Sequence, residues 1–299
     1  MSKINHPPKA DPPRAGKTLV LIDSNALIHR GFHALPPTLR NREGKPTNAV
    51  YGFTSMLLNA IKELKPDYLI AAFDVDKKTF RHKEYKKYKA HRVKAPDELY
   101  EQIPLAEKVL KAFEIPIYKE QGFEADDVVG TLAKLGAEKN LNVLIVTGDL
   151  DILQLVNQNI KVFTLKRGFS DTVIYDIEGA KEKLNLRPDQ VIDYKALRGD
   201  PSDNIPGVKG VGEKTAVNLL NDYQTLEAIF KEVKKQNSKI SDKIKEKIIA
   251  DEKNAVLSQK LAKIVTDLPL DLSLKKSQFG SFDPHKVLEL FQELGFRSL

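Results

Sequence analysis

Four short apolar runs set the limits on what this chain can fold into: Thr18–Ile22 (TLVLI), Tyr68–Phe73 (YLIAAF), Ile115–Tyr118 and Val143–Thr147 (VLIVT). Helical stretches lie between and after them, such as Asn48–Leu64, Glu98–Phe113 and Glu124–Lys139, where apolar residues recur at threes and fours. The alternation predicts an α/β fold, a mostly parallel sheet with helices on both faces. The runs are almost wholly apolar rather than alternating, as strands buried on both faces require.

The remaining organisation is read from composition. Residues 1–17 hold Pro7, Pro8, Pro12 and Pro13 and little that is apolar, and they read as a disordered leader without the apolar stretch of a signal peptide. Residues 18–184 form the α/β core, and from about 185 to 299 the chain reads as a second, helical subdomain. That region carries a Gly-rich turn at 205–216, a Lys-rich stretch at 231–247 and a final amphipathic helix at 284–296. The chain ends directly after that helix, which suggests part of a longer protein. With no cysteine there is no disulfide, Cys-zinc site, iron–sulfur cluster or thiol nucleophile. No apolar run approaches the 18 or so residues that a membrane span needs.

Three strands run into aspartate: Asp23, Asp74 and, through Thr147-Gly148, Asp149. Each alone could simply cap a helix. In a parallel sheet, however, the carboxyl ends of the strands share one edge, where ligands bind. Glu124, Asp126 and Asp127 open the next helix, Asp151 follows Asp149, and Asp200 and Asp203 lie one helical turn apart. No Lys or Arg falls inside the Asp23, 124–127 or 149–151 motifs. So much like charge on one edge costs stability unless cations neutralise it. An oxygen-only donor set favours Mg²⁺ or Mn²⁺ over zinc, and two such ions suit phosphoryl displacement.

Residues 77–94 carry nine Lys and Arg against one acid, Glu84, a charge of +8 where the whole chain has +7. Bases fall on every face of a helix drawn through them and leave no apolar stripe for docking, while Phe80, Tyr85 and Tyr88 lie among them. That mixture suits a nucleic-acid strand better than a solvated helix face. The turn Ile205–Ala216 (IPGVKGVGEKTA) offers glycines and a helix start near Glu213 to phosphate. Glu213 separates Gly212 from Lys214-Thr215, so it is no Walker A loop, and a helix–hairpin–helix that grips duplex backbone remains.

Taken in order, Asp23, Phe73-Asp74, the Phe80-Arg-His and Tyr88-Lys-Ala segment with Arg92, Glu124-Ala-Asp-Asp127, Thr147-Gly-Asp-Leu-Asp151, Gly199-Asp-Pro-Ser-Asp-Asn204 and 207–216 resemble the flap endonucleases. The likeness is greatest to the 5′-nuclease domain of bacterial DNA polymerase I and covers about residues 17–299. It implies a PIN/flap-endonuclease-like core with a helical arch at about 77–95. Asp23, Asp74, Glu124 and Asp126 would surround one metal. Asp126, Asp149, Asp151 and Asp203 would surround the second, with Asp127 and Asp200 completing the pocket. Lys89 and Arg92 would contact the scissile phosphate. DNA would meet Arg81, Tyr88, Lys89 and Arg92 at the arch, and Gly207, Lys209, Gly210, Gly212, Lys214 and Thr215 at the hairpin, where K⁺ can bridge backbone and phosphate.

The implied activity is Mg²⁺-dependent 5′→3′ exonuclease and flap endonuclease cutting, at flaps, nicks and RNA–DNA primer junctions, in replication and repair. The implied setting is a monomer in the bacterial cytoplasm, associated with the nucleoid and joined to or working with a DNA polymerase. Leu150 stands where the family pattern usually has Lys, which bears on metal affinity. Alternatives are a standalone flap endonuclease paralogue, a binder of branched DNA that does not cut, and a PIN-type RNase. The intact carboxylates weigh against the binder; the basic segment and hairpin weigh against the RNase.

Overall fold

A computed structural model describes residues 16–75, 78–168 and 171–299. Most of the leader, together with Lys77 of the basic segment, lies outside the described residues.

Six strands form one sheet: β1 (Thr18–Asp23), β2 (Tyr68–Ala72), β3 (Ile117–Tyr118), β4 (Asn142–Val146), β5 (Ile160–Arg167) and β6 (Asp171–Tyr175). Their order is β3-β2-β1-β4-β5-β6, parallel throughout except for the antiparallel β5–β6 pair. The helices of this part are α1 (Ser24–Ala34), α2 (Asn48–Leu64), α3 (Phe80–Glu84), α4 (Asp97–Tyr100), α5 (Ile103–Ala112), α6 (Ala125–Glu138) and α7 (Ile177–Leu184). The helical region holds α8 (Val191–Arg198), α9 (Glu213–Tyr223), α10 (Leu226–Val233), α11 (Asp242–Ala250) and α12 (Glu252–Ala262). Two more follow, α13 (Leu274–Ser277) and α14 (Pro284–Glu293).

The apolar strands β1, β2 and β4 are buried on both faces, as expected, while the short edge strand β3 is half-buried. In β1, Val20 and Ile22 enter one core with Phe53, Leu57 and Leu110, while Leu19 and Leu21 enter the other with Val128, Val129 and Leu132. The chain runs outward from β1 to β2 and β3, then returns to place β4 on β1's other side. Strand order thus reverses between β1 and β4, where an open parallel sheet forms a crevice at its carboxyl edge. Asp23 ends β1 and Asp149 follows β4 at that crevice.

Two features differ from the sequence expectation. Strands β5 and β6 add an antiparallel edge that the four apolar runs did not include; polar residues such as Lys161, Thr164 and Thr172 interrupt their apolar pattern. The expected helical subdomain ran to residue 299, yet Ile264, Leu268 and Leu272 pack into one α/β core and Val287, Phe291, Leu294 and Phe296 into the other. The helical unit has its own core, of residues such as Leu197, Val208, Leu220, Ile229 and Ile248. Periodicity shows that α14 has an apolar face; it does not show which body that face meets.

Candidate active site

The acids at the strand ends are held by the N-termini of neighbouring helices. Asp23 caps α1, accepting from the Ala26 N–H at 3.2 Å, and takes the Thr147 hydroxyl at 2.6 Å. Asp74 accepts from the Ala125 N–H at 2.6 Å, at the positive end of α6. Asp149 accepts from the Asp151 N–H at 2.8 Å and so caps the short 3₁₀ turn 150–155. Capping and clustering therefore coexist, because a carboxylate that caps a helix keeps spare lone pairs.

Asp23, Asp74, Glu124, Asp126 and Asp149 line one cleft of about 320 Å³, together with Asn25, His29, Lys89 and Arg92. Beside it, Asp151, Asp200 and Asp203 each bring an oxygen within 4.8 Å of the others. Burial, with the charges of Asp74 and Asp149, pushes the Asp23 carboxyl up to about 7. Burial and then the charges of Asp23 and Asp149 raise Asp126 well above the usual carboxylate range. Burial, reinforced by Asp149, lifts Asp151 to about 6 despite the Lys195 ammonium. Acids raised in this way are relieved by a cation, and the donors are oxygen only, so the residues fit hard divalent ions.

The structure also supplies basic partners that the motifs lack. Lys89 Nζ lies 2.9 Å from Glu124 Oε2 and 3.8 Å from Asp203 Oδ2, and Arg92 pairs with Asp203. Burial alone would raise Glu124, but Lys89 and Arg81 bring it below its usual value. Lys195 pairs with both Asp151 and Asp200. Burial opposes ionisation of Asp200, yet Lys195 and the Ser202 hydrogen bonds hold it down at about 2. Lys195, Asn25 and His29 were absent from the sequence reading, and Thr147 stood there only as part of the strand-end motif. Lys195 gives no signal there beyond standing five residues before Asp200.

The basic segment departs from the expected arch. Among its described residues only Phe80–Glu84 is helical, followed by turns and a stretch without regular structure as far as Pro96. Lys89 has φ 52°, which no α-helix passes through, and closely spaced like charges disfavour one. The segment is docked despite having no apolar stripe. Tyr85 and Tyr88 pack with Ile205, Leu257, Leu261 and Ala262. The Lys89 N–H donates to the Asp203 carbonyl and Asn204 Nδ2 to the Lys87 carbonyl. Tyr88, expected to face DNA, is buried, and its hydroxyl stands 3.2 Å from Glu124 and 3.1 Å from Asp203. With one proton, it serves one carboxylate at a time.

Arg81, also expected at the DNA surface, and Asp127, expected in the metal pocket, are both buried and pair with each other. At the hairpin, Gly207 is buried rather than open to phosphate: a Cβ there would meet Gly199 N at 2.2 Å. It needs glycine to pack on the acidic turn, and its φ is 63°. Lys209, Gly210, Gly212 and Lys214 are exposed, Thr215 is half-buried, and α9 starts at Glu213. The Lys209 N–H already donates to Asp251, and the Gly210 carbonyl accepts from Lys247.

Comparisons with known proteins bear on the family and the fold. A family model described as the 5′-3′ exonuclease N-terminal resolvase-like domain matches residues 18–185, and one for the 5′-3′ exonuclease C-terminal SAM fold matches residues 186–285. DNA polymerase I of Bacillus caldotenax is 43% identical over 94% of this chain, and that of Bacillus subtilis 42% over 95%. The chain spans about a third of the length of these relatives, 32% in both cases. Among solved structures, a bacteriophage T5 flap endonuclease in complex with DNA and metal ions is 21% identical, with TM-score 0.68 over 92% of this chain and 99% of that one. The catalytic core of Rad2 in complex with a DNA substrate is 17% identical, with TM-score 0.60 over 94% and 88%. At these identities the two structures speak for the fold alone.

Proposed function

We propose, for a chain that belongs to the 5′-3′ exonuclease family, that it hydrolyses phosphodiesters near single-strand/duplex junctions using two divalent ions, Mg²⁺ first and Mn²⁺ in its place. One observation carries the reading: raised, crowded acids share a cleft with two cations of the basic segment, Lys89 and Arg92. Asp23, Asp74, Glu124 and Asp126 would hold one ion, and Asp149, Asp151 and Asp203 with Asp126 the other. Bound there, hard cations supply an activated water and neutralise charge on the phosphoryl oxygens.

The residues of the chain do the rest. Lys89 and Arg92 trade their carboxylate partners for the scissile phosphate, placing positive charge where negative charge grows. Lys195 keeps Asp200 ionised and steadies Asp151. Gly210, Gly212, Lys214 and Thr215 seat the duplex backbone, where a K⁺ ion would add positive charge for phosphate. Substrates would be 5′ flaps, nicks and primer junctions, met by a monomer that works with or is joined to a polymerase in the bacterial cytoplasm and nucleoid. The division into a core at 18–184 and a duplex-binding unit from 185 belongs to this same reading.

The test is a cleavage assay on 5′-labelled flapped, nicked and single-stranded DNA, with Mg²⁺ and with EDTA. The reading expects Mg²⁺-dependent cutting of the flapped and nicked forms ahead of the single strand. Equal cutting of all three, or cutting in EDTA, overturns it.

A further inference from the structure

Neither Arg81 nor Asp127 is among the residues that line the cleft, and four of the five guanidinium N–H groups are hydrogen-bonded, with Nη1 also 3.6 Å from Glu124 Oε2. Asp127 is fully buried and the Arg81 side chain is 3% exposed. Nη1 and Nη2 of Arg81 donate to the two oxygens of Asp127 at 2.7 and 2.8 Å. The same guanidinium gives Nε to the Leu261 carbonyl and Nη2 to the Lys263 carbonyl, both at 2.9 Å. The Asp127 carboxylate also accepts the Glu124 N–H at 3.1 Å and the Val265 N–H at 2.8 Å.

The pair thus joins three stretches of chain: the start of the basic segment, the first turn of α6, and the crossing at 261–265 where the helical unit hands back to the sheet. A carboxylate enclosed in this way has no face toward the cleft. Nor is such a pair explained by stability, since apolar residues of similar volume commonly do as well. What a buried bidentate fork adds is direction.

We propose that Arg81 and Asp127 are positioning residues for the cut, with Asp127 outside the metal's ligand set. Through the Glu124 N–H they set the Glu124 carboxylate, and through 261–265 they fix the base of the basic segment to the exit of the helical unit. Seating of the duplex and assembly of the cleft are thereby one event. This rests on the reading given under Proposed function.

The test uses the full chain with Arg81→Lys, Asp127→Asn and the apolar double variant Arg81→Met/Asp127→Leu. Single-turnover cutting of a flapped duplex is measured against Mg²⁺ concentration and paired with chemical unfolding. Each single variant should cut about 10²-fold slower, the scale of a small misplacement. The double should recover stability but not rate, and should be no slower than the worse single. The Mg²⁺ midpoint should stay within about twofold of the parent in all three, because no ligand is lost.

A double variant that recovers rate along with stability makes the pair merely structural and overturns the proposal. A tenfold higher midpoint in the Asp127 variants alone makes Asp127 a ligand and overturns it too. If the parent chain cuts nothing, the nuclease reading has failed by itself. The pair is then judged by unfolding, where recovery in the double sustains the junction and additive losses overturn it.

Discussion

Lys195 Nζ lies 2.6 Å from Asp200 Oδ2 and also pairs with Asp151, so one ammonium stands between two acids of the cluster. Removing it leaves two nearby carboxylates to repel each other in a place poor in water. Lys195→Met is expected to cost about 3 kcal/mol in urea unfolding without metal, and to regain part of that loss when Mg²⁺ is added. An unfolding curve that Mg²⁺ does not move would remove Lys195 from the metal cluster.

Asp74→Ala and Asp126→Ala should abolish cutting while leaving flapped-duplex binding in EDTA within a few-fold of the parent. Gel shift and cleavage on one preparation separate the two effects. Retained Mg²⁺-dependent cutting by both variants would refute the assignment of the cleft.

Lys89→Ala should slow a single turnover by about 10²-fold or more, the usual cost of losing charge stabilisation at a reacting group. Tyr88→Phe removes a hydroxyl from Glu124 and Asp203 and should cost far less, about tenfold. Rapid-quench measurement on a flapped substrate ranks the two, and an inverted ranking contradicts the geometry.

The raised acids give the metal-free protein a definite pH response. Asp23 binds its proton more tightly folded, with a value of about 7, than unfolded, near 4. Its protonated form therefore stabilises the fold at low pH, and that contribution fades as pH rises from about 4 to 7, at up to about 1.4 kcal/mol per unit. Asp200, held at about 2, has the opposite sign: its contribution is present above about 4 and is lost as pH falls through 2. Unfolding in EDTA should show stability falling between pH 4.5 and 7, and Asp23→Asn should flatten the slope. An unchanged slope in that variant places the titration elsewhere.

Lys214→Ala at the exposed hairpin should weaken duplex binding and reduce the slope of log affinity against log salt by about 1, leaving the cutting rate of bound substrate unaltered. Filter binding between 50 and 200 mM salt reads this directly, and an unchanged slope removes Lys214 from the phosphate contacts.

The acidic edge was legible because strand direction is written in apolar runs and parallel pairing fixes which ends adjoin. Asp23, Asp74 and Asp149 needed no more than that. Partners far apart in sequence were not legible. Nothing in the order of residues brings Lys195 to Asp151, or turns Arg81 inward to Asp127, 46 positions away. A run of bases reads the same whether its members face solvent or a buried acid, so Arg81 and Tyr88 looked like surface groups. Gly207 was read as an approach for phosphate because a glycine records that space is needed, not what fills it.

The chain leaves the sheet for the helical unit after β6 and returns at 263 into both α/β cores, with α14 closing the circuit. A body tied at both ends has little freedom to swing. On the function proposed above, the two tethers limit how far the hairpin at 205–216 can move from the acids at the strand ends, and the molecule would act as a caliper. On that reading, where a duplex is gripped would determine which bond lies between the jaws, so the cut position should be counted from the junction and be indifferent to base sequence.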